Sequence, residues 1–218
     1  DAYRASARGK SNQPAVFLDS AGRAFATDAH SLPSARSQGE PMTGRFNLSA
    51  GANFEHVVMG EDNQVLLMAS DAGYGFITDF KDLVSKNKNG KALVSVPKGG
   101  LLLSPIRVNE VASDYCMAIS NEGRMLLFPL RDLPKLGKGK GNKIISIPGA
   151  KVQAREEFVK VLAVVPEGSS VTLHAGKRKL TLKPSDLEHY YGERGRRGNK
   201  LPRGLQRVDE AVVEFSPQ

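Results

Sequence analysis

The chain has no tryptophan, one cysteine and four histidines, and each shortage narrows what it can do. With Cys116 alone no internal disulfide can form, so the fold must rest on its core, and a reducing compartment is the natural setting. Cys116 sits in the alternating run from Tyr115 to Ile119 and reads as a core residue. No stretch approaches the roughly 20 apolar residues that a membrane helix needs, and the segment from Asp1 to Arg8 lacks the apolar centre of a signal peptide. A soluble, cytoplasmic protein is expected. The start at Asp1, with neither methionine nor a helix signal, reads as a piece of a longer polypeptide. His30, His56, His174 and His189 stand apart with no Cys or His at ligand spacing, which argues against a metal centre. No Gly-x-Ser-x-Gly elbow or other pairing of nucleophile and base is present. The stretch Gly137 to Lys143 has the look of a phosphate-binding loop, but Ile144 follows the lysine where Ser or Thr should hold magnesium. Nine phenylalanines and five tyrosines are few for a platform that stacks single-stranded bases. Tyr190 and Tyr191 read as packing residues, not nucleophiles.

Positive charge, by contrast, is plentiful and uneven. Against 31 Lys/Arg stand 23 Asp/Glu, a net of +8. Residues 1 to 128 hold 13 of each sign, whereas residues 129 to 207 hold 18 cations against 7 acids, and residues 208 to 218 add three acids. So basic a block among strand-like runs favours a polyanionic partner over solubility alone.

Four segments repeat one pattern: an apolar strand, a turn with glycine, a second strand, a leucine, a basic or glycine-rich loop and a further strand. The turn glycines Gly22, Gly73, Gly123 and Gly176 are spaced by 51, 50 and 53 residues, and Leu32, Leu83, Leu133 and Leu187 follow them by 10, 10, 10 and 11. Ser, Asp or Asn beside Gly between apolar runs is hairpin chemistry, because the turn needs a positive φ. The loops are followed by the apolar runs Arg45–Leu48, Ala92–Val96, Ile144–Ile147 and Leu205–Val208, each expected as a strand. Between units lie further strand candidates at Phe54–Met59, Leu101–Val108 and Phe158–Val165, while short helical turns are plausible only near Lys81–Val84 and Pro184–His189. About four strands per unit at this period predict an all-β fold of propeller blades, with repeats near 15–60, 65–110, 114–165 and 171–215 in one domain. A two-layer sandwich is the alternative.

Lys86, Lys88, Lys91, Lys138, Lys140, Lys143, Arg194, Arg196, Arg197, Lys200 and Arg203 recur at one position of the repeat, the loop before the last strand. In a propeller such positions fall on one part of the rim. An arc of cations suits a duplex backbone, where affinity comes from counterion release and needs no base readout. Arg23, Arg36 and Arg45 would extend the arc into the first unit. The competing reading is ordinary solvated turn chemistry.

Lys10-Ser-Asn-Gln-Pro14, Ser34-Ala-Arg-Ser-Gln-Gly-Glu-Pro-Met-Thr-Gly44, Met68-Ala-Ser-Asp-Ala-Gly-Tyr-Gly-Phe76, Lys138-Gly-Lys-Gly-Asn-Lys-Ile-Ile145 and Gly192-Glu-Arg-Gly-Arg-Arg-Gly198 carry a further signal. On them the chain resembles, over essentially its whole length, the C-terminal domain of the gyrase A and topoisomerase IV A family, on its topoisomerase IV branch. The resemblance implies a β-pinwheel, a propeller relative whose neighbouring blades exchange strands, with residues 1 to 10 closing a partial first blade ahead of four complete ones. It implies double-stranded DNA as partner, a monomeric isolated domain and, in the parent enzyme, an A2B2 assembly with the ATPase partner. ATP and Mg2+ would be used in regions outside this chain, the domain itself needing no cofactor. The setting would be the nucleoid, with peripheral association at the inner membrane. Gyrase carries a heptapeptide of the form Gln-Arg-Arg-Gly-Gly-Lys-Gly, used to wrap DNA tightly. Here the matching stretch is Gln38, Gly39, Glu40, Pro41, Met42, Thr43 and Gly44, in which only the first and last residues agree and Glu40 replaces a cation. That departure implies modest bending, with decatenation and relaxation by the full enzyme. The alternatives are a gyrase A domain or a propeller that binds proteins, and salt-resistant binding would mark the latter.

Overall fold

The computed structural model describes residues 4–33, 39 and 41–215. Its strands, in chain order, are β1 (Pro14–Asp19), β2 (Arg23–Asp28), β3 (Phe54–Met59), β4 (Val65–Ser70), β5 (Tyr74–Asp79), β6 (Lys91–Ala92), β7 (Ile106–Val108) and β8 (Tyr115–Ser120). They continue with β9 (Arg124–Pro129), β10 (Asn142–Lys143), β11 (Val159–Val165), β12 (Ser170–Ala175), β13 (Arg178–Leu182), β14 (Asn199–Lys200) and β15 (Glu210–Glu214). These form four antiparallel sheets in the orders β3-β1-β2-β6, β10-β5-β4-β7, β11-β8-β9-β14 and β13-β12-β15.

Each sheet is built on a hairpin, and the first three share one turn. The amides of Gly22, Gly73 and Gly123 donate to the carbonyls of Asp19, Ser70 and Ser120 at 3.0 to 3.2 Å, with the glycines at φ +87°, +89° and +81°. Asp19 Oδ1 accepts from the amides of Ala21 and Arg23, and Ser120 Oγ from those of Glu122 and Arg124, so a short polar side chain closes the turn. The fourth hairpin departs from the expected equivalence. Ala175 pairs with Arg178, leaving Gly176 and Lys177 as a tighter two-residue turn.

In the second, third and fourth units the short strand that ends the basic loop belongs to the sheet before it. β6 lies in the second unit yet pairs with β2 of the first; β10 of the third unit pairs with β5, and β14 of the fourth with β9. Strand exchange, expected only from the resemblance, is therefore present. Close approach requires glycine here: a Cβ on Gly141, at φ +80°, would lie 2.0 Å from the Gly75 carbonyl oxygen. The exchanged strands are also not the apolar runs that the sequence suggested. Only Lys91–Ala92, Asn142–Lys143 and Asn199–Lys200 join ladders, while no strand forms at 45–48 or 205–208. The apolar residues that follow, Leu93, Ile144 and Leu201, turn inward and are buried instead. Among the described residues no such segment reaches β13, so the last sheet has three strands where four were expected.

Three cores separate the four sheets. Val16, Leu18 and Ala24 meet Leu66, Met68 and Phe76 between the first and second sheets. Leu67, Ala69 and Ile77 meet Cys116, Ala118 and Phe128 between the second and third. Met117, Ile119 and Leu127 meet Val171 and Leu173 between the third and fourth. Strands β4 and β8 are apolar at consecutive positions because both their faces are covered. Four stacked sheets with three cores exclude a two-layer sandwich. The two outermost faces differ: Phe17, Phe25, Phe46 and Phe54 cluster on the first sheet, with Phe54 edge to face against the other three, whereas Thr172, Lys179, Thr181 and Val212 line the last. Short helical turns occur where expected, at Phe80–Leu83 and Pro184–Tyr190, and also at Gly149–Gln153 (α1), which the sequence did not suggest. Residues 4–10 form no strand; Arg4 instead donates to the Phe54 carbonyl.

Candidate nucleic-acid interface

The basic loops end in the exchanged strands, so each is carried to the outer edge of the preceding sheet. Lys143 and Lys200 occupy matching edge positions on the second and third sheets, opposite Tyr74 and Arg124, the residues after the turn glycines. On the first sheet Ala92 stands at that position opposite Arg23, and Lys91 lies one residue before it. The loops also bond to one another. Asn47 N donates to Lys88 O at 2.9 Å, joining the first unit to the second. Gly139 N donates to Leu93 O and Ser95 N to Gly139 O, at 2.9 and 3.0 Å, joining the second to the third. Gly195 N donates to Ile144 O and Ser146 N to Arg196 O, both at 3.0 Å, joining the third to the fourth. Four segments distant in sequence thus form one hydrogen-bonded belt carrying cations throughout.

Within the belt the cations differ. Lys86, Lys88, Lys138, Lys143, Lys200 and Arg203 are exposed, and their side chains engage no partner among the described residues. Lys140 stands over the Tyr74 ring, 4.4 Å from its centroid. The remaining side chains brace the belt. Arg23 donates to the carbonyls of Asn89 and Gly90, Lys91 to that of Asp82, and Arg194 to that of Lys143. Arg45 bonds Thr27 and Ser31. Arg196 pairs with exposed Glu193 at 3.0 Å, and Arg197 donates to Ser146 O at 2.7 Å while lying 2.8 Å from buried Glu157. Arg36, Gln38 and Glu40 lie outside the described residues. Of the degenerate heptapeptide, Gly39 and Pro41 are exposed and Met42, Thr43 and Gly44 form a single 3-10 turn.

Lys98 and Tyr74 were not among the cations and contacts expected from the sequence. With Lys140, Lys143, Ser146 and Gln153 they line a cleft of about 320 Å³ at the second sheet's edge, and none of its lining residues is acidic. The signal for Tyr74 lay in the repeat itself. Arg23 and Arg124 follow their turn glycines and cap the next loop, whereas Tyr74 at the same position cannot, and Lys140 lies over its ring instead. Lys98 belongs to a separate Pro-Lys-Gly-Gly turn outside the repeated basic position, so counting the repeat could not find it.

Beside the belt, Tyr115 and Tyr191 stack in parallel, with centroids 4.9 Å apart and planes 2° apart. Burial, then Tyr115, Glu188 and Glu167, push the Tyr191 hydroxyl above its usual range. Tyr190 is buried in the third core, in keeping with a packing role.

Known proteins share both the sequence and the shape of this chain. A family model of the DNA gyrase C-terminal domain, a β-propeller, matches residues 64–109 and 114–164. The A subunit of DNA topoisomerase 4 from Pseudomonas aeruginosa is 56% identical over 218 residues, covering 100% of this chain and 29% of that protein. Its counterpart from Escherichia coli K12 is 52% identical over 214 residues, covering 98% of this chain and 28% of that protein. The chain thus spans less than a third of the length of these relatives. The solved E. coli ParC C-terminal domain superposes with a TM-score of 0.89 at 51% identity, covering 95% of this chain and 84% of that one.

Proposed function

This chain belongs to the family of topoisomerase IV A C-terminal domains, and from that premise we propose that it binds and modestly bends duplex DNA for a type II topoisomerase. The observation that carries the reading is the belt: loops from four units, bonded edge to edge, offer exposed lysines along the edges of successive sheets. A phosphate backbone laid along it would meet cations at each of the first three sheets, and ordered Arg side chains beneath would keep the loops from collapsing inward. Such contacts fix DNA on the surface and carry no base sequence. In the parent enzyme the domain would present the transported segment for ATP-dependent decatenation and relaxation, beside the ATPase partner in an A2B2 assembly.

Bending a short site costs on the order of 1 to 6 kcal/mol, which only dense cationic contacts offset. In the first unit the described part of the heptapeptide, Pro41 to Gly44, contributes no cation, and Arg45 is bonded to Thr27 and Ser31. The bend is therefore small. Energy transfer between dyes at the ends of a duplex, titrated with the chain at low salt, tests this: saturable binding with a modest approach of the ends supports the reading. A full wrap would favour gyrase-like behaviour, and absence of duplex binding would overturn the proposal.

A further inference from the structure

Glu157 is fully buried between α1 and β11, yet neither carboxylate oxygen accepts a well-directed hydrogen bond. Its charge is balanced by proximity alone, with Arg197 Nη1 at 2.8 Å and Lys151 Nζ at 3.8 Å. A buried pair held this way contributes little to stability, since desolvation offsets the attraction and an apolar replacement is often as good. What it does contribute is geometry. The Arg197 guanidinium is fixed between Glu157 and Ser146 O, while Ser146 N donates back to Arg196 O. One reciprocal clasp therefore joins the fourth unit's basic loop to the third unit, next to the Gly195 to Ile144 bond and the Arg194 to Lys143 bond.

We propose that Glu157 is a positioning residue of the duplex interface: acting through Arg197, it fixes the loop 192–200 in the register that turns Arg196 and Lys200 outward. The inference rests on the duplex-binding reading above and deepens it by assigning an acidic residue, which no count of cations would select, a favourable part in binding a polyanion.

The sign of one substitution separates this role from simple electrostatics. Glu157→Gln removes a negative charge near the belt, so electrostatics alone would tighten binding to DNA. Positioning predicts the opposite, roughly tenfold weaker duplex binding, the worth of about 1.4 kcal/mol, with a salt slope shallower by about 0.9 for each phosphate no longer met. Arg197→Lys keeps the charge and loses the planar fork, and the same weakening is expected. In both variants amide exchange at Gly195 and Ser146 should quicken while the amides of β4 and β8 stay protected.

Affinity of folded Glu157→Gln equal to or above that of the unaltered chain would overturn the proposal. If that variant fails to fold, Arg197→Lys decides: unchanged affinity refutes positioning and a tenfold loss supports it. Failure of the unaltered chain to bind duplex would instead remove the functional reading itself, and this inference with it.

Discussion

Replacing Gly141 by alanine isolates the strand exchange. Gly141 sits at φ +80°, and a Cβ there would lie 2.0 Å from the oxygen and 2.3 Å from the carbon of the Gly75 carbonyl. Backbone cannot yield as a flexible side chain would, so the exchanged segment must lift away from β5. The left-handed conformation alone costs about 1 to 2 kcal/mol for a residue with a Cβ. Lifting also weakens the pairing of Asn142 with Gly75 and Lys143 with Tyr74, and the 2.7 Å bond from Ile144 N to Gly73 O. Two or three backbone bonds at about 1 kcal/mol each bring the total to about 3 to 5 kcal/mol. For a chain of this size that is a fall in Tm of about 10 °C. Gly176→Ala is the control, since Gly176 has φ +60° but nothing within 4 Å of a Cβ, leaving only the conformational cost of about 1 to 2 kcal/mol. Thermal melts of both variants, with amide exchange read at residues 142–145, measure the difference. Equal falls in Tm would refute the claim that close approach of exchanged backbone, and not the turn geometry, requires glycine at 141.

Further outcomes follow from the buried charges, the thiol and the parent enzyme. Arg155→Ala strands the buried Asp71 carboxylate, which in the unaltered chain receives a two-pronged pair at 3.2 and 2.8 Å; a loss of about 3 kcal/mol is expected, and Asp71→Asn in the same chain should recover part of it in a double-mutant cycle of melts. Burial pushes the Cys116 thiol far above its ordinary value near 9.0. The unfolded chain therefore ionises first: the thiol's contribution is intact below about pH 9 and falls by about 1.4 kcal/mol per pH unit above it. Urea melts between pH 8 and 10 should show that slope reduced in Cys116→Ala. On the proposed function, a full-length topoisomerase IV carrying this domain should decatenate and relax DNA; efficient negative supercoiling of relaxed plasmid would contradict the modest bend.

The hairpins were legible in the sequence because their two-residue alternation and turn chemistry are local. Val16 with Leu18, or Met117 with Ile119, identify a covered face without knowledge of the neighbour that covers it. Exchange was not legible that way: β6, β10 and β14 are two residues long, too short for any periodicity, and the apolar residues after them marked burial, not strand. The cation set was legible through the repeat. Its division into exposed and bracing members was not, because the partners of Arg23, Arg194 and Arg197 are carbonyls and a carboxylate that only the fold brings near. Lys98 escaped for the opposite reason, since it lies outside the repeated position yet faces the same cleft.

The central claim, that the belt holds duplex DNA through its phosphates, is tested most directly by salt. If Lys86, Lys88, Lys138, Lys140, Lys143, Lys200 and Arg203 each meet one phosphate, the slope of log affinity against log salt is about −6 for the unaltered chain. Lys138→Glu, Lys140→Glu and Lys143→Glu together should make it shallower by about 2.7 and weaken binding alike for unrelated duplex sequences. An affinity and slope unchanged by the triple reversal would contradict the account.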